Sequence, residues 1–157
     1  MSFKDRHPEI QHLVRELHLL RGNNLKFKDG DPQDGLLMFA EAAIVHLLLE
    51  RFVRAILNDA KDTESLYNLL QRAVSRGLIR LPWEDQQDGI RKIVSVRNAM
   101  LHGNYEQAAQ NAGCATVVEY FRTQATPEVE RMYQVVDYLF KQIDPVTGKP
   151  LAPTGEP

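Results

Sequence analysis

Arg97 and His102, five residues apart, are the two side chains of this sequence best suited to phosphate chemistry. A guanidinium offers a planar fork of N–H donors that matches two phosphate oxygens at once. An imidazole titrates nearest neutrality, so it can accept and return a proton. Brought together, the pair suits attack of a ribose 2′-hydroxyl on its adjacent phosphodiester, a reaction that requires no metal. Arg97 would stabilise the charge developing on the phosphate and His102 would move the proton. On a straight helix, residues five apart point about 140° apart. The pair therefore converges only if the helix ends or bends between them, as Gly103 would allow, or if a second copy of the chain completes the site. A plainer reading stands beside this one: Arg97 reaches out from a helix end or pairs with a core carboxylate, and His102 caps the helix.

The helix that must carry Arg97 runs from about residue 84 to at least 99, with Ile90, Ile93 and Val94 at helical spacing. Arg97 falls in the middle of that apolar stripe, where a core-facing helix would carry Leu or Val. The strongest helix signal lies earlier, over residues 34 to 59, and is apolar around most of its circumference. In a chain of this size that makes it the central helix, and suggests that a partner chain covers part of it. One thin polar line remains, His46, Glu50 and Arg54 at i, i+4 and i+8. It reads either as a solvated ion-pair stripe or, with Glu41 or Glu50 as the holder, as support for Arg97. Three further helices are expected. Residues 7 to 21 form the first, ended by Gly22. A third follows a cap at Asp62 or Thr63 and stops at Gly77. The last starts at Thr126-Pro127 and faces Val129, Met132, Tyr133, Val136, Phe140 and Ile143 inward. Between them, periodicity is weak over 104–113, and Val117, Val118 and Phe121 offer a short helix. Trp83 reads as a core residue.

The 157 residues suit one domain able to bury a core, with 43% hydrophobic and 25% charged side chains. A formal net charge of −2 excludes a generally basic nucleic-acid binder, so any RNA contact needs a local patch. Arg72, Arg76, Arg80, Arg91 and Lys92 are the candidates for it, or form a solvated helix surface. The single cysteine, Cys114, excludes an intrachain disulfide framework and suits a reducing compartment; as a side chain it reads as a small buried residue. No apolar run approaches the ~18 residues needed to span a bilayer, and the N-terminus has no signal-peptide core. The expectation is a cytoplasmic protein with no membrane partner. Five histidines show no metal-ligand spacing, and neither a phosphate loop nor a dinucleotide fingerprint is present, so no metal or cofactor is expected. The expected fold is all-α, a compact up-and-down bundle of five or six helices over residues 1–143, followed by a disordered Pro/Gly-rich tail at 144–157.

Arg97-Asn98, three further residues, then His102-Gly103 at the end of a bundle helix resembles the signature of the HEPN family (higher eukaryotes and prokaryotes nucleotide-binding). Gly77 to Ile79 and the Leu-rich helix with Glu50-Arg51-Phe52 are also similar, and the likeness spans roughly residues 34 to 141. The resemblance implies a HEPN-like all-α domain that forms a homodimer and brings two Arg–His pairs into one cleft. It implies a metal-independent endoribonuclease of the toxin–antitoxin or phage-defence type, with RNA as substrate and an antitoxin protein as a possible partner. Arg97, His102 and Asn98 would be catalytic, Tyr105 and Asn104 would contact the nucleotide, and Glu41 and Glu50 would support Arg97. The family also contains catalytically silent RNA-binding and interaction modules, which is the alternative here. Toxins paired with a nucleotidyltransferase carry a Tyr two residues after the His; this chain has Asn104 there and Tyr105 one place later.

Overall fold

The computed structural model describes residues 2–24, 32–101, 105–120, 123 and 126–151, with the backbone alone at 21–24, 32–39, 99–101, 118, 126 and 127. Eight helical segments run through them: α1 (Phe3–Arg6), α2 (Pro8–Asn24), α3 (Pro32–Leu57), α4 (Leu66–Ser75), α5 (Gln86–Leu101), α6 (Tyr105–Asn111), α7 (Val117–Tyr120) and α8 (Thr126–Phe140). Among the described residues there is no strand, only an isolated antiparallel bridge between Ile143 and Pro150. The protein is an all-α bundle.

α3 is its axis and packs against α2, α4, α5 and α8. Its 26 residues bury Val45, Leu49 and Val53 completely and Leu48, Phe52 and Leu57 nearly so. Each such side chain contributes roughly 2 kcal/mol by leaving water, so this helix anchors the core. The side chains of residues 32–39, which belong to the apolar surface expected to meet a partner chain, lie outside the described ones. Over the rest of α3 the apolar faces are taken up by neighbours in the same chain, and Leu47, 40% exposed, is the large apolar side chain left open among those described.

The termini of the helices follow from local chemistry. α4 begins at Ser65, whose Oγ accepts the Asn68 N–H at 3.2 Å, rather than at Asp62 or Thr63. Residues 61–64 are drawn away from that helix by Arg54, which donates to the carbonyls of Lys61, Asp62 and Glu64. At its other end the Leu78 N–H reaches the Ala73 carbonyl at 2.9 Å across Gly77, which takes φ 69°, a stop of the kind expected. α5 starts at Gln86, whose side chain bonds the Leu81 N–H and the carbonyls of Leu81 and Trp83, fixing the link that precedes it. Trp83 packs partly buried on the main core, with the Lys92 ammonium 5.9 Å from its ring centre.

Three segments depart from the sequence expectation. The helix expected to stop at Gly22 continues to Asn24, and a four-residue helix precedes it, closed by a reciprocal Ser2–Asp5 capping box. Residues 105–111, where periodicity is weak, form α6, because only Ala108 and Ala109 need to be buried on so short a helix. Residues 144–151, expected as the start of a disordered tail, fold back on the bundle. The Phe3 N–H bonds the Val146 carbonyl at 2.7 Å, the Leu151 N–H bonds the Gln142 carbonyl at 2.8 Å, and Gly148 lies against the Phe3 ring. Asp144, which accepts the Val146 N–H, makes this a turn that its Pro and Gly content alone does not announce. The remainder of the expected tail, residues 152–157, lies outside the described residues.

Candidate functional site

α5 delivers Arg97 to the edge of the core. Ile93 and Ile90, one and two turns earlier on the same stripe, are fully buried, whereas the Arg97 side chain keeps 27% exposure. The stripe thus climbs out of the interior as it nears the end of the helix, which is how a guanidinium is tolerated in that register. The stem lies against the bundle and the fork reaches its surface. Facing it is Glu50 of α3, with Arg97 Nη2 3.9 Å from Glu50 Oε2. That is an ion pair too long to be a direct hydrogen bond, and no hydrogen bond from the guanidinium to a described residue accompanies it. Glu50 is shared: its other oxygen, Oε1, accepts from Arg54 Nη2 at 3.1 Å. Arg54 in turn is spent on the carbonyls of residues 61, 62 and 64. One carboxylate therefore orients two arginines, of which Arg97 keeps its donors.

The polar line on α3 is not the solvated stripe that its spacing suggests. His46 is 1% exposed. Its Nδ1 lies 2.7 Å from the Ala42 carbonyl, which can only accept, so Nδ1 carries the hydrogen and Nε2 the lone pair. Nε2 is buried with no hydrogen-bond partner among the described residues. Burial, reinforced by the nearby Arg97 charge and opposed by the Ala42 hydrogen bond, lowers the His46 pKa to about 4, so the ring is neutral near pH 7. Glu41, one turn earlier, is also buried, at 4% exposure. The physical reason for the failed stripe is that this face of α3 turns inward at His46, with Arg97 of α5 close enough for its charge to act on the ring.

The remaining expected residues divide clearly. Asn98 is exposed at the last turns of α5. His102 and Asn104 lie outside the described residues, as does Gly103, so the structure places Arg97 and not its proposed partner. Tyr105 opens α6 at the far side of that junction, half-buried, its pKa raised by burial. Beyond it the sequence reasoning missed a second, smaller core, built from Ala42, Ala108, Ala109, Tyr120 and Val129. Tyr120 is wholly buried and its hydroxyl donates to the Glu128 carboxylate. Burial first, and then that carboxylate, raise its pKa. The signal available was weak: a Tyr and a Glu eight residues apart across a helix break. Cys114 packs half-buried against the same cluster, with α7 starting only at Val117.

Three of the five residues of the candidate basic patch are engaged in ion pairs. Arg72 grips Glu64 with two bonds, at 2.6 and 2.7 Å, and also reaches Asp59; Arg76 pairs with Asp59. Hydrogen bonds from Arg72 hold the carboxyls of both acids below their usual range. Lys92 pairs with Asp88 at 3.0 Å. Only Arg80 and Arg91 are left of the five without an ion pair to a described residue. Among the described residues, no group of three or more His, Cys, Asp or Glu side chains converges as a metal site would require, and no helix is long and apolar enough to cross a membrane. Comparison with protein-family models, with curated proteins and with solved structures gave no match.

Proposed function

We propose that the chain is a metal-independent endoribonuclease of HEPN type, acting as a homodimer. Arg97 binds the scissile phosphate and stabilises its developing charge, and His102 serves as acid and base. Asn98 orients the phosphate or His102, and Tyr105 contacts a nucleotide, with Asn104 beside it in the sequence. The observation that carries this reading is the state of Arg97. It sits on the last turns of the helix that leads directly into His102, half-open to solvent, steered by one carboxylate at 3.9 Å and committed to no hydrogen bond with a described residue. An arginine held that loosely retains its fork for a bidentate anion. Neutral His46 beneath it adds no competing cation. Attack of the 2′-hydroxyl would break the P–O5′ bond, leaving a 2′,3′-cyclic phosphate and a 5′-hydroxyl. A toxin or phage-defence role, with an antitoxin protein as partner, follows from the same resemblance.

A second reading rests on the same ion pair. If Glu50 is the permanent partner of Arg97, the motif is structural and the chain is a catalytically silent RNA-binding or interaction module. Incubating the full chain with RNA in chelator, beside Arg97→Ala and His102→Ala, separates the two. Cleavage by the parent chain and its loss in both variants supports the nuclease. Absence of cleavage by the parent, or cleavage that persists in both variants, supports the module.

A further inference from the structure

At the far flank of α3 from Glu50 lies a cavity of about 310 Å³ between α1, α2 and the ends of α3 and α8. Phe3, Ile10, Val14, Phe52, Phe140 and Ile143 give it an apolar floor and walls. Its polar lining is of one sign: Lys4 and Arg15 contribute cations, Gln11 an amide, and no Asp or Glu lines it. Neither cation has an ion-pair partner among the described residues. The acid nearest to Lys4 in the chain, Asp5, is occupied in capping α1, where its Oδ2 accepts both the backbone N–H and the hydroxyl of Ser2. The Gln11 amide is likewise spent on the Lys4 carbonyl at 3.0 Å, which ties α1 to α2 beside the opening.

From this the geometry points to a binding site for a small amphipathic carboxylate, a hydrocarbon body in the cavity with its anionic end between Lys4 and Arg15. The charge pattern selects the class. An apolar chamber alone takes any hydrocarbon, but two cations in its lining, with no acid there and no ion pair to a described residue, favour a ligand with one anionic end. The volume selects the size. At about 310 Å³ the cavity lies near the lower limit of small-ligand pockets. That suits a medium-chain fatty acid rather than a membrane lipid. The site stands apart from Arg97 and does not depend on any nuclease reading. Its walls are the N-terminal helices and the turn at residues 144–151, so a bound chain would pin both ends of the described chain to α3.

Octanoate, with octan-1-ol as its uncharged counterpart, tests the assignment by calorimetric titration into the full chain, with backbone amide shifts to locate binding. The expected result is saturable binding of one octanoate, with shifts centred on Phe3, Phe52 and Phe140, and octan-1-ol weaker by at least about tenfold, the worth of one charge-assisted hydrogen bond. Lys4→Gln with Arg15→Gln, two exposed changes that leave the core intact, should weaken octanoate by a similar or larger factor and leave octan-1-ol unchanged. No saturable binding, equal affinity for the alcohol, unchanged octanoate affinity in the double variant, or shifts centred elsewhere would each overturn the proposal.

Discussion

His46 makes the stability of this bundle depend on pH in a way that one substitution should remove. Its imidazole is 1% exposed, neutral, and bonded through Nδ1 to the Ala42 carbonyl at 2.7 Å, with Nε2 unpartnered among the described residues. In the unfolded chain the ring titrates near 6.5, and in the folded chain near 4, chiefly because burial disfavours the cation. The folded state therefore resists protonation. Above pH 6.5 the residue is neutral in both states and imposes no penalty. As pH falls from 6.5 to 4, the unfolded chain takes up the proton first and stability is lost; below pH 4 the loss is complete. At 1.36 kcal/mol per pH unit, the difference between 6.5 and about 4 amounts to roughly 3 kcal/mol. His46→Leu keeps the volume near, deletes the titration and removes a buried unpartnered nitrogen that itself costs about 1–3 kcal/mol. Urea unfolding of both chains across pH 4 to 8 should give a variant at least as stable as the parent at pH 7.5, and more stable by about 3 kcal/mol in addition at pH 4. Equal losses in both chains on acidification would refute the reasoning.

Other perturbations follow from the same geometry. Arg54→Ala should cost about 2–4 kcal/mol, because three loop carbonyls and Glu50 lose a charged donor at once; amide exchange should accelerate across residues 61–64, and an unchanged exchange rate would argue against the clamp. Gly148→Ala combines a φ of 71° with a Cβ that would run into the Phe3 ring, so about 2–4 kcal/mol of thermal stability should be lost, read by calorimetry. Glu50→Gln should leave the fold intact and slow RNA cleavage roughly tenfold, as expected for a slightly misplaced phosphate binder; a cleavage rate equal to the parent would remove Glu50 from the site.

Much of this bundle is legible in apolar spacing, because long helices repeat their inward faces often enough to fix their phase. α3 and α8 are the clearest cases, and the stop at Gly77 follows from the one residue type that accepts φ 69° without strain. The start of α4 was not legible. Asp62 and Thr63 are good caps in isolation, yet Arg54, eight residues back on α3, captures the carbonyls there and hands the cap to Ser65. α6 escapes detection because a helix of two turns buries too few residues to show a period, whereas α7 begins at Val117, where a short helix is expected. At the site, the sequence marks Arg97 as a misfit on its stripe, and the structure gives the resolution: the stripe leaves the core before it reaches Arg97, and Glu50 meets it there. The burial of His46 was not legible, since a polar line at i, i+4 and i+8 reads the same whether a neighbouring helix covers it or not. The ion pairing of the basic surface was not legible either, because the acids that meet Arg72 and Arg76 come from the preceding loop rather than from their own helix.

The nuclease account stands on a ribose hydroxyl attacking its own phosphate under the control of Arg97 and His102. A DNA oligonucleotide carrying a single ribonucleotide, incubated with the full chain in chelator, tests that chemistry directly. The account predicts one cut, on the 3′ side of the ribose, leaving a 2′,3′-cyclic phosphate and a 5′-hydroxyl, and no cut with the Arg97→Ala chain. An intact oligonucleotide, alongside RNA that is likewise uncut, or a cut at deoxyribose positions, would contradict it.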